Sequence, residues 1–456
     1  MRSNFTEAIG TAPARAKRAA DSTGTDHRTA RMAGRLRTLR ETPLYGTDLG
    51  LIGALLLALL FVIDPFGLQL ERITVTKHLP LIIGGMSLLM TTIAAALEPG
   101  RNSLRSGAGL TRLTAPFMIL AGWIIAGSLY ARFADGIHDT FLTIGLYMLA
   151  VPGVALFMVC SDARWRVVGW YMRALSAAAA VMILRMIAEH VASGGVYHEL
   201  EYLVVPVGVF HALRPRSSNR WKVALAAFYL LGGLTFFKFT GFLALGIALI
   251  YLWLVDWRLR FAQDMNFRRW ARRCIVVGVL AGVLVAAFVL HHRGSVGPDG
   301  NLGYRLITYR AAIGRFIASP LVGASFDAPA TAHFTGYQIG VAHGHLPTHS
   351  DLLDLAANGG LLALGLLLLA YGRILRYARE TIFSTRVNDD MVAAAHALAC
   401  TTVTGVVVYA FNPILLEPDR ALLLWATTGM LLGIAICHKQ RPILSIRKTK
   451  YGKQNI

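Results

Sequence analysis

The sequence has little charge for its length. Only 15% of its 456 residues are charged, and 55% are hydrophobic, whereas about a quarter of the residues in a soluble domain are charged. The charged residues lie in short segments between apolar runs of about 17 to 23 residues, long enough to cross a bilayer as helices. This excludes an ordinary soluble protein and predicts an all-α, polytopic integral membrane protein.

Acidic residues and cysteines are also scarce. The chain has 25 Asp and Glu against 45 Lys and Arg, a net charge of +20, and four cysteines. Because the basic residues fall between apolar runs, membrane topology explains them better than nucleic-acid binding does. The cysteines lie in or beside apolar runs without metal-ligand spacing, which favours small buried residues over a metal site. They are Cys160, Cys274, Cys400 and Cys437.

The first 45 residues lack the apolar core of about 7 to 15 residues that marks a secretory signal peptide. They are rich in Arg, Ala, Thr and Ser. We therefore expect residues 1–45 to form a disordered basic cytoplasmic tail, residues 46–437 a transmembrane domain, and residues 438–456 a second basic cytoplasmic tail.

About twelve apolar segments are candidate transmembrane helices. They lie near 47–63, 79–97, 113–130, 140–160, 167–189, 198–213, 221–237, 239–256, 274–291, 352–372, 391–411 and 420–437. Arg and Lys concentrate in the even-numbered connections and after the last segment, as the positive-inside rule requires of cytoplasmic segments. Both termini are therefore predicted to be cytoplasmic. The large loop between helices 9 and 10, residues 292–350, is predicted to face outward.

Within that loop, residues 301–319 have the pattern of an amphipathic helix, which Pro320 ends. Its apolar residues recur at steps of four and three. Arg305, Arg310 and Arg315 lie between them, on the side of the membrane where the topology rule does not call for Arg. A guanidinium can hold a phosphate by two parallel hydrogen bonds, so the cluster favours binding of a lipid phosphate or pyrophosphate. For Arg310 and Arg315, a solvated helix face near lipid headgroups is the alternative.

His349 lies at the predicted outer boundary of the membrane, directly before the apolar run that begins at Leu352. Its ordinary pKa suits proton transfer near neutral pH, although a histidine there can also only cap or pack. Ser350 or Thr348 could cap the following helix. Lys238 separates two apolar segments on the same outward side, where it either snorkels to the interface or supplies a second cation.

The loop carries four histidines, and their spacing does not indicate a metal site. They lack an acidic or cysteine partner at ligand spacing, so we expect neither metal nor cofactor. The histidines are His333, His343, His345 and His349, and only His349 is given a role.

Three short motifs resemble those of the O-antigen ligase and Wzy-type polysaccharide polymerase superfamily of bacterial membrane proteins. The first is Arg305 with Tyr309 in an aromatic position, followed by Pro320, Leu321 and Gly323. The second is His349 and Ser350 before a helix with Leu352, Leu353, Gly359 and Gly360. The third lies within 235–241 and includes Lys238. The chain departs from the family at Tyr309, where Trp is usual, at Lys238, where Arg is usual, and at Ala363, where a glycine is expected.

The resemblance implies a metal-independent glycosyltransferase of the bacterial inner membrane that uses an undecaprenyl-pyrophosphate-linked glycan as donor. His349 would act as base or orient the acceptor, and Arg305 and Lys238 would hold the pyrophosphate. Arg310, Tyr309 and Ser350 would complete the substrate site. The leading expectation is a polymerase that joins repeat units of an exopolysaccharide or O-antigen.

Two other functions remain open at this point. A ligase that moves the finished glycan to lipid A core or another acceptor would share the same motifs. A non-enzymatic transporter would share the helix count, but the chain lacks a repeat between its halves and clearly broken midplane helices.

Overall fold

The computed structural model describes residues 44–64, 78–97, 104–135, 139–193, 200–214, 219–232, 239–261, 301–324, 326, 332–333, 345–346, 348, 350–382, 390–412, 414–415 and 418–451. These residues form helices and one pair of two-residue strands, which confirms the all-α fold class. The predicted N-terminal tail lies outside the described residues, apart from its last two.

The helices are α1 (Gly46–Ile63), α2 (Leu79–Leu97), α3 (Leu104–Asp135), α4 (Asp139–Met148), α5 (Ala150–Cys160), α6 (Arg164–Ser193), α7 (Glu201–Leu213), α8 (Asn219–Gly232), α9 (Phe239–Phe261), α10 (Asn301–Ala318), α11 (Asp351–Thr381), α12 (Asp390–Tyr409) and α13 (Pro418–Tyr451). In the described part of the chain, eight spans are long and apolar enough to cross a membrane. Three further predicted segments contain shorter helices: α7, α8 and the apolar part of α9, Thr240–Val255. The predicted ninth segment, near 274–291, lies outside the described residues, so the count of twelve stays a prediction.

One predicted span is divided into two helices. The segment predicted near 140–160 contains α4 and α5, which meet at Leu149. Pro152 has no N–H group to donate to the Met148 carbonyl, so the ladder of helical hydrogen bonds cannot continue unbroken through this point. Residues 141–160 are nevertheless long and apolar enough to count as one span.

Helix α13 lies at the centre of the bundle and is the most buried of the candidate spans. It packs against α5 across Gly429 and Gly433, which are four residues apart on one face. A Cβ atom at Gly429 would lie 2.7 Å from the Val151 carbonyl oxygen, and one at Gly433 would collide with Met158. Small residues at this spacing let two membrane helices approach closely.

Polar contacts join helix ends that the predicted topology assigns to the same side. On one side, Arg185 donates to the Asp64 carbonyl (2.7 Å) and Thr240 to Glu201 (2.6 Å). On the other, Ser161 donates to Asp48 (2.7 Å) and Arg214 to Asp390 (3.3 Å). The helix ends therefore separate into two groups, as consecutive membrane crossings require.

Helix α11 is broken at Gly360. This glycine has φ 63° and ψ −164°, a conformation that side-chain-bearing residues avoid. The break frees two N–H groups from the helix. Leu361 N donates instead to the Pro320 carbonyl (2.8 Å) and Leu362 N to the Leu321 carbonyl (3.1 Å). The sequence predicts one unbroken span near 352–372, so this break is a departure from it.

The turn after α10 fills the break in α11. Ala324 N donates to the Ala357 carbonyl at 3.0 Å, on the other side of the break. Gly323 has φ 72°, and a Cβ atom there would collide with the backbone of Asn358. We call this paired segment, residues 319–324 and 357–362, the backbone interlock. It fixes the end of α10 against α11.

Phe326 packs against Gly359, which belongs to the interlock. Its side chain is fully buried and contacts Phe141 edge to face, with ring centroids 5.4 Å apart. A Cβ atom at Gly359 would meet the Phe326 ring at 2.5 Å. Phe326 has φ 58°, a value that is rare for a residue with a side chain. Such a strained backbone persists only where the surrounding structure holds it, and here the buried ring does so.

Candidate functional site

Arg305 lies near the start of α10 and reaches the segment that follows α12. Its Nη1 donates to the Phe411 carbonyl at 2.9 Å, and its Nη2 lies 3.5 Å from Asn412 Oδ1. Helix α10 turns Thr308 and Ala312 toward α11, where Ala312 packs with Ala357 in a small buried cluster. This packing of small side chains lets α10 lie close enough to α11 for Arg305 to stand beside the start of that helix.

The start of α11 is a buried polar cap. Ser350 Oγ accepts a hydrogen bond from Leu353 N at 3.3 Å, so Ser350 caps the helix as predicted. Thr348 donates to Asp354 Oδ2 at 2.7 Å and accepts from Ser350 N at 3.2 Å. Thr348, Ser350 and Asp354 are all buried. The two residues that flank His349 in the chain are therefore held in place.

Asp351 joins the same cap to the segment after α12. Its Oδ2 accepts a hydrogen bond from Leu415 N at 2.9 Å, and the carboxylate is buried. A carboxylate in the first turn of a helix is also favoured by the positive end of the helix dipole. Asp351 and Arg305 thus reach the same short segment, residues 411–415, from two different helices.

Tyr309 connects Arg305 to the cap. Burial raises the pKa of the Tyr309 phenol, while the charge of Arg305 and a hydrogen bond with it act in the opposite direction. The nearby Asp354 carboxylate raises the pKa further. The structure therefore brings Arg305, Tyr309 and Ser350 into one site, linked through Asp354 and Thr348.

Of the other predicted site residues, the structure describes only Arg310, which does not join this group. Arg310 lies on a different face of α10 and is exposed. His349 and Lys238 lie outside the described residues, so their roles stay predictions.

Two buried amide atoms near the site lack a hydrogen-bond partner within the described ranges. They are Asn412 Nδ2 and Asn358 Oδ1. The side-chain oxygen of Asn412 must point toward Arg305, because a guanidinium has no acceptor. The NH₂ group of Asn412 is then available to another partner. Buried polar atoms of this kind are usually satisfied by an ordered water or a ligand.

The histidines of the loop show no metal site in the described part of the chain. His333 and His345 lie opposite each other in the strands β1 (Ala332–His333) and β2 (His345–Leu346), which pair antiparallel. No group of three His, Cys, Asp or Glu close enough to hold a metal ion occurs among the described residues.

A second buried carboxylate lies at the start of α7. Glu201 is fully buried and accepts a hydrogen bond from Thr240 Oγ1 at 2.6 Å. Beside it, Tyr202 donates to the Arg420 carbonyl at 3.1 Å. This group ties together the starts of α7, α9 and α13, which makes it a structural joint of the bundle.

The sequence predicted part of this site and missed the rest. Asp351 and Asp354 lie in the first turn of a helix, and nothing local in the sequence indicates that they bind Leu415 and Thr348. Phe326 gave no signal by residue type. Its partners lie far away in the chain, and a single sequence does not reveal such pairs.

A scan of protein-family models finds no match to this chain, and a search of curated proteins finds none either.

Proposed function

We propose that the chain is an inner-membrane glycosyltransferase that polymerises undecaprenyl-pyrophosphate-linked repeat units on the periplasmic side of the membrane. The observation that carries the proposal is that Arg305 and Asp351, which belongs to the polar cap of α11, bind the same short segment after α12. The cap lies directly beside His349 in the chain. Arg305 and Tyr309 of one motif that resembles the ligase and polymerase superfamily lie near Ser350 of the other, and His349 precedes Ser350 in the chain.

The proposed reaction needs a cation and a base. The acceptor hydroxyl oxygen attacks the anomeric carbon of the donor sugar, and the bond from that carbon to the pyrophosphate oxygen breaks. The pyrophosphate leaves with the electron pair, and Arg305 stabilises its growing charge. His349 takes the hydroxyl proton. A guanidinium has five N–H donors, so Arg305 can bind an anion and keep its hydrogen bond to the Phe411 carbonyl.

The remaining residues position this pair. Thr348 and Ser350 hold the backbone on both sides of His349, and Asp354 holds Thr348. The two buried carboxylates would repel a pyrophosphate if they faced it openly. Each instead accepts a hydrogen bond from the protein, Asp351 from Leu415 N and Asp354 from Thr348, which favours a role in orientation. Lys238 would supply a second cation.

The proposal includes the predicted topology. Twelve helices cross the membrane, both termini are cytoplasmic, and residues 292–350 belong to the periplasmic side. The acceptor is the growing glycan; in the ligase alternative it is lipid A core or another acceptor. Neither form of the reaction requires a metal or a cofactor.

The break in α11 favours a transporter, because broken helices line the substrate sites of many transporters. In those sites the freed backbone groups bind the substrate or ion. Here the N–H groups of Leu361 and Leu362 are bound by Pro320 and Leu321 of the same chain. The backbone groups that the break frees are therefore bonded within the protein and are not available to a ligand. We retain the enzyme as the better proposal.

The test is complementation of a deletion strain, with the surface glycan and the lipid-linked glycan separated on gels. We expect Arg305→Ala and His349→Ala to leave only single repeat units at a normal protein level. The matched control is Arg376→Gln, since Arg376 is an exposed arginine of α11 whose partner, Glu380, is also exposed. This control should restore long chains.

Each alternative has its own gel pattern. Long-chain glycan at the wild-type amount in both Arg305→Ala and His349→Ala would contradict the enzyme proposal. Lipid-linked polymer that accumulates beside a bare acceptor would indicate the ligase. Lipid-linked single units trapped on the cytoplasmic side would indicate the transporter.

A further inference from the structure

Helix α10 has an apolar face that the proposed site does not use. Ile313 and Ile317 are one helical turn apart and are 47% and 69% exposed. Leu321 and Val322, in the turn that follows, are 68% and 46% exposed. The face that packs on α11 is a different one, since it carries Thr308 and Ala312. We call Ile313, Ile317, Leu321 and Val322 the outer face of α10.

The backbone interlock fixes the depth of this face. The carbonyls of Pro320 and Leu321 accept hydrogen bonds from Leu361 N and Leu362 N, so the turn lies level with residues 361–362 of α11. The uncharged stretch of α11, residues 355–372, spans about 27 Å as helix, close to the roughly 30 Å of a hydrocarbon core. From Asp354 to Gly360, where the helix breaks, α11 rises about 9 Å, and Leu361 follows directly. The turn therefore lies well inside the thickness that α11 crosses.

The outer face continues a surface that already belongs to a membrane span. Leu361 and Leu362 are exposed on α11, as are Leu368 and Leu369 further along it. Because Leu321 is bonded to Leu362 through the backbone, its exposed side chain extends this apolar surface onto α10. Contiguous exposed apolar residues of this kind mark a surface that contacts protein or lipid.

The charge and the hydrogen bonds of the segment agree with contact to lipid. The charged residue nearest in the chain on this side of α10 is Arg310, three positions before Ile313 and so about one turn nearer the start of the helix. The turn satisfies backbone groups within the protein: Gly323 N donates to the Ser319 carbonyl at 3.0 Å, and the interlock uses Pro320 and Leu321. Backbone polar groups at membrane depth must be bonded within the protein unless they line a water-filled cavity.

We propose that α10 and its turn form a re-entrant membrane element, and that its outer face contacts the acyl chains of one leaflet of the bilayer. The loop predicted to lie outside the membrane would then be partly embedded in it. Arg310 would lie at the level of the lipid phosphates, where a basic residue on an amphipathic helix is stabilised. This inference concerns membrane insertion and holds whichever reaction the site performs.

The test is spin-label accessibility of the full-length protein in proteoliposomes. Single cysteines replace Ile317, Leu321 and Arg310 in a background without the native thiols, and each carries a nitroxide. Leu369→Cys serves as the control for lipid contact, because Leu369 is exposed on the span of α11. Should that background fold poorly, Cys400, which is fully buried, can be retained.

We expect the labels at Ile317 and Leu321 to match Leu369→Cys. They should collide strongly with molecular oxygen, which dissolves in lipid, and lose their collisions with the water-soluble reagent NiEDDA. The label at Arg310 should collide more with NiEDDA and less with oxygen. Collisions with NiEDDA at Leu321 equal to those at Arg310 would overturn the proposal. Weak collisions with both reagents, with dipolar broadening between labels, would also overturn it, because a second copy of the chain would then cover the face.

Discussion

Helix α10 is attached to the rest of the molecule differently at its two ends. At its start, Arg305 reaches Phe411 and Asn412 through a long, charged side chain. At its end, the turn joins the break in α11 through three backbone hydrogen bonds, from Leu361, Leu362 and Ala324. One attachment depends on a side chain that has many rotamers, and the other on peptide groups that have none.

The difference assigns separate tasks to the two ends. A rigid backbone joint sets where the 18-residue helix lies, and the flexible side chain at the other end can then adjust to a ligand at little cost. Changes at the interlock should therefore affect folding and the site together. Changes at the Arg305 end should affect the site with only a small loss of stability.

The largest expected effect comes from Gly360→Ala. A Cβ atom at residue 360 would collide with the Leu321 backbone, and the positive φ alone costs about 1–3 kcal/mol for a residue with a side chain. Two interlock hydrogen bonds would weaken as well, at about 0.5–1.5 kcal/mol each. We expect the free energy of unfolding to fall by about 3 kcal/mol, measured by thermal and denaturant unfolding in detergent.

The matched control is Gly365→Ala, in the same helix. A Cβ atom at residue 365 meets nothing within 4 Å, and Ala is favoured over Gly inside a helix by about 0.5–1 kcal/mol. This variant should be as stable as the wild type or more so. Equal stability of the two alanine variants would show that the interlock does not hold the helix.

An intermediate effect is expected from Asp351→Ala, beside the Arg305 end. Asp351 is the acceptor for Leu415 N, and both residues are buried. A buried N–H group left without its acceptor costs about 1–3 kcal/mol, so this variant should lower the melting temperature measurably. Asp351→Asn keeps an oxygen acceptor and should lose less. If Asn is as damaging as Ala, the charge of Asp351 matters more than its hydrogen bond.

Hydropathy predicted the membrane fold well, because the requirement for long apolar helices is local. The helices α1, α2, α11, α12 and α13 begin within about two residues of the predicted positions, as is usual for assigned helix boundaries. The cap at Ser350 was also visible, because a serine before an apolar helix acts on its own first turn.

The interlock could not be predicted from the sequence, because its parts are distant. Gly323 and Gly360 are separated by 37 positions, and a glycine in an apolar run is compatible with an unbroken span. The motifs around Pro320 and Gly359 were noticed as separate elements. Only the folded chain reveals that one is the hydrogen-bond partner of the other.

The smallest expected effect concerns Tyr309, between Arg305 and Asp354. Tyr309→Phe removes a hydrogen bond with Arg305, worth about 0.5–1.5 kcal/mol, without removing the ring. Burial raises the pKa of this phenol above its ordinary value of 10.0, so the folded protein holds the proton more tightly than the unfolded chain does. The stabilisation by the neutral phenol is therefore complete below pH 10. It is lost as the pH rises from about 10 through the pKa of the folded state.

The direction of this pH dependence can be measured as the difference in unfolding free energy between the wild type and Tyr309→Phe, from pH 8 to pH 11. We expect the difference to stay constant up to about pH 10 and then to shrink. Growth of the difference above pH 10 would mean that the charge of Arg305 outweighs burial and stabilises the phenolate. The Arg305 end would then be governed by charge rather than by burial, and the contrast with the backbone end would become stronger.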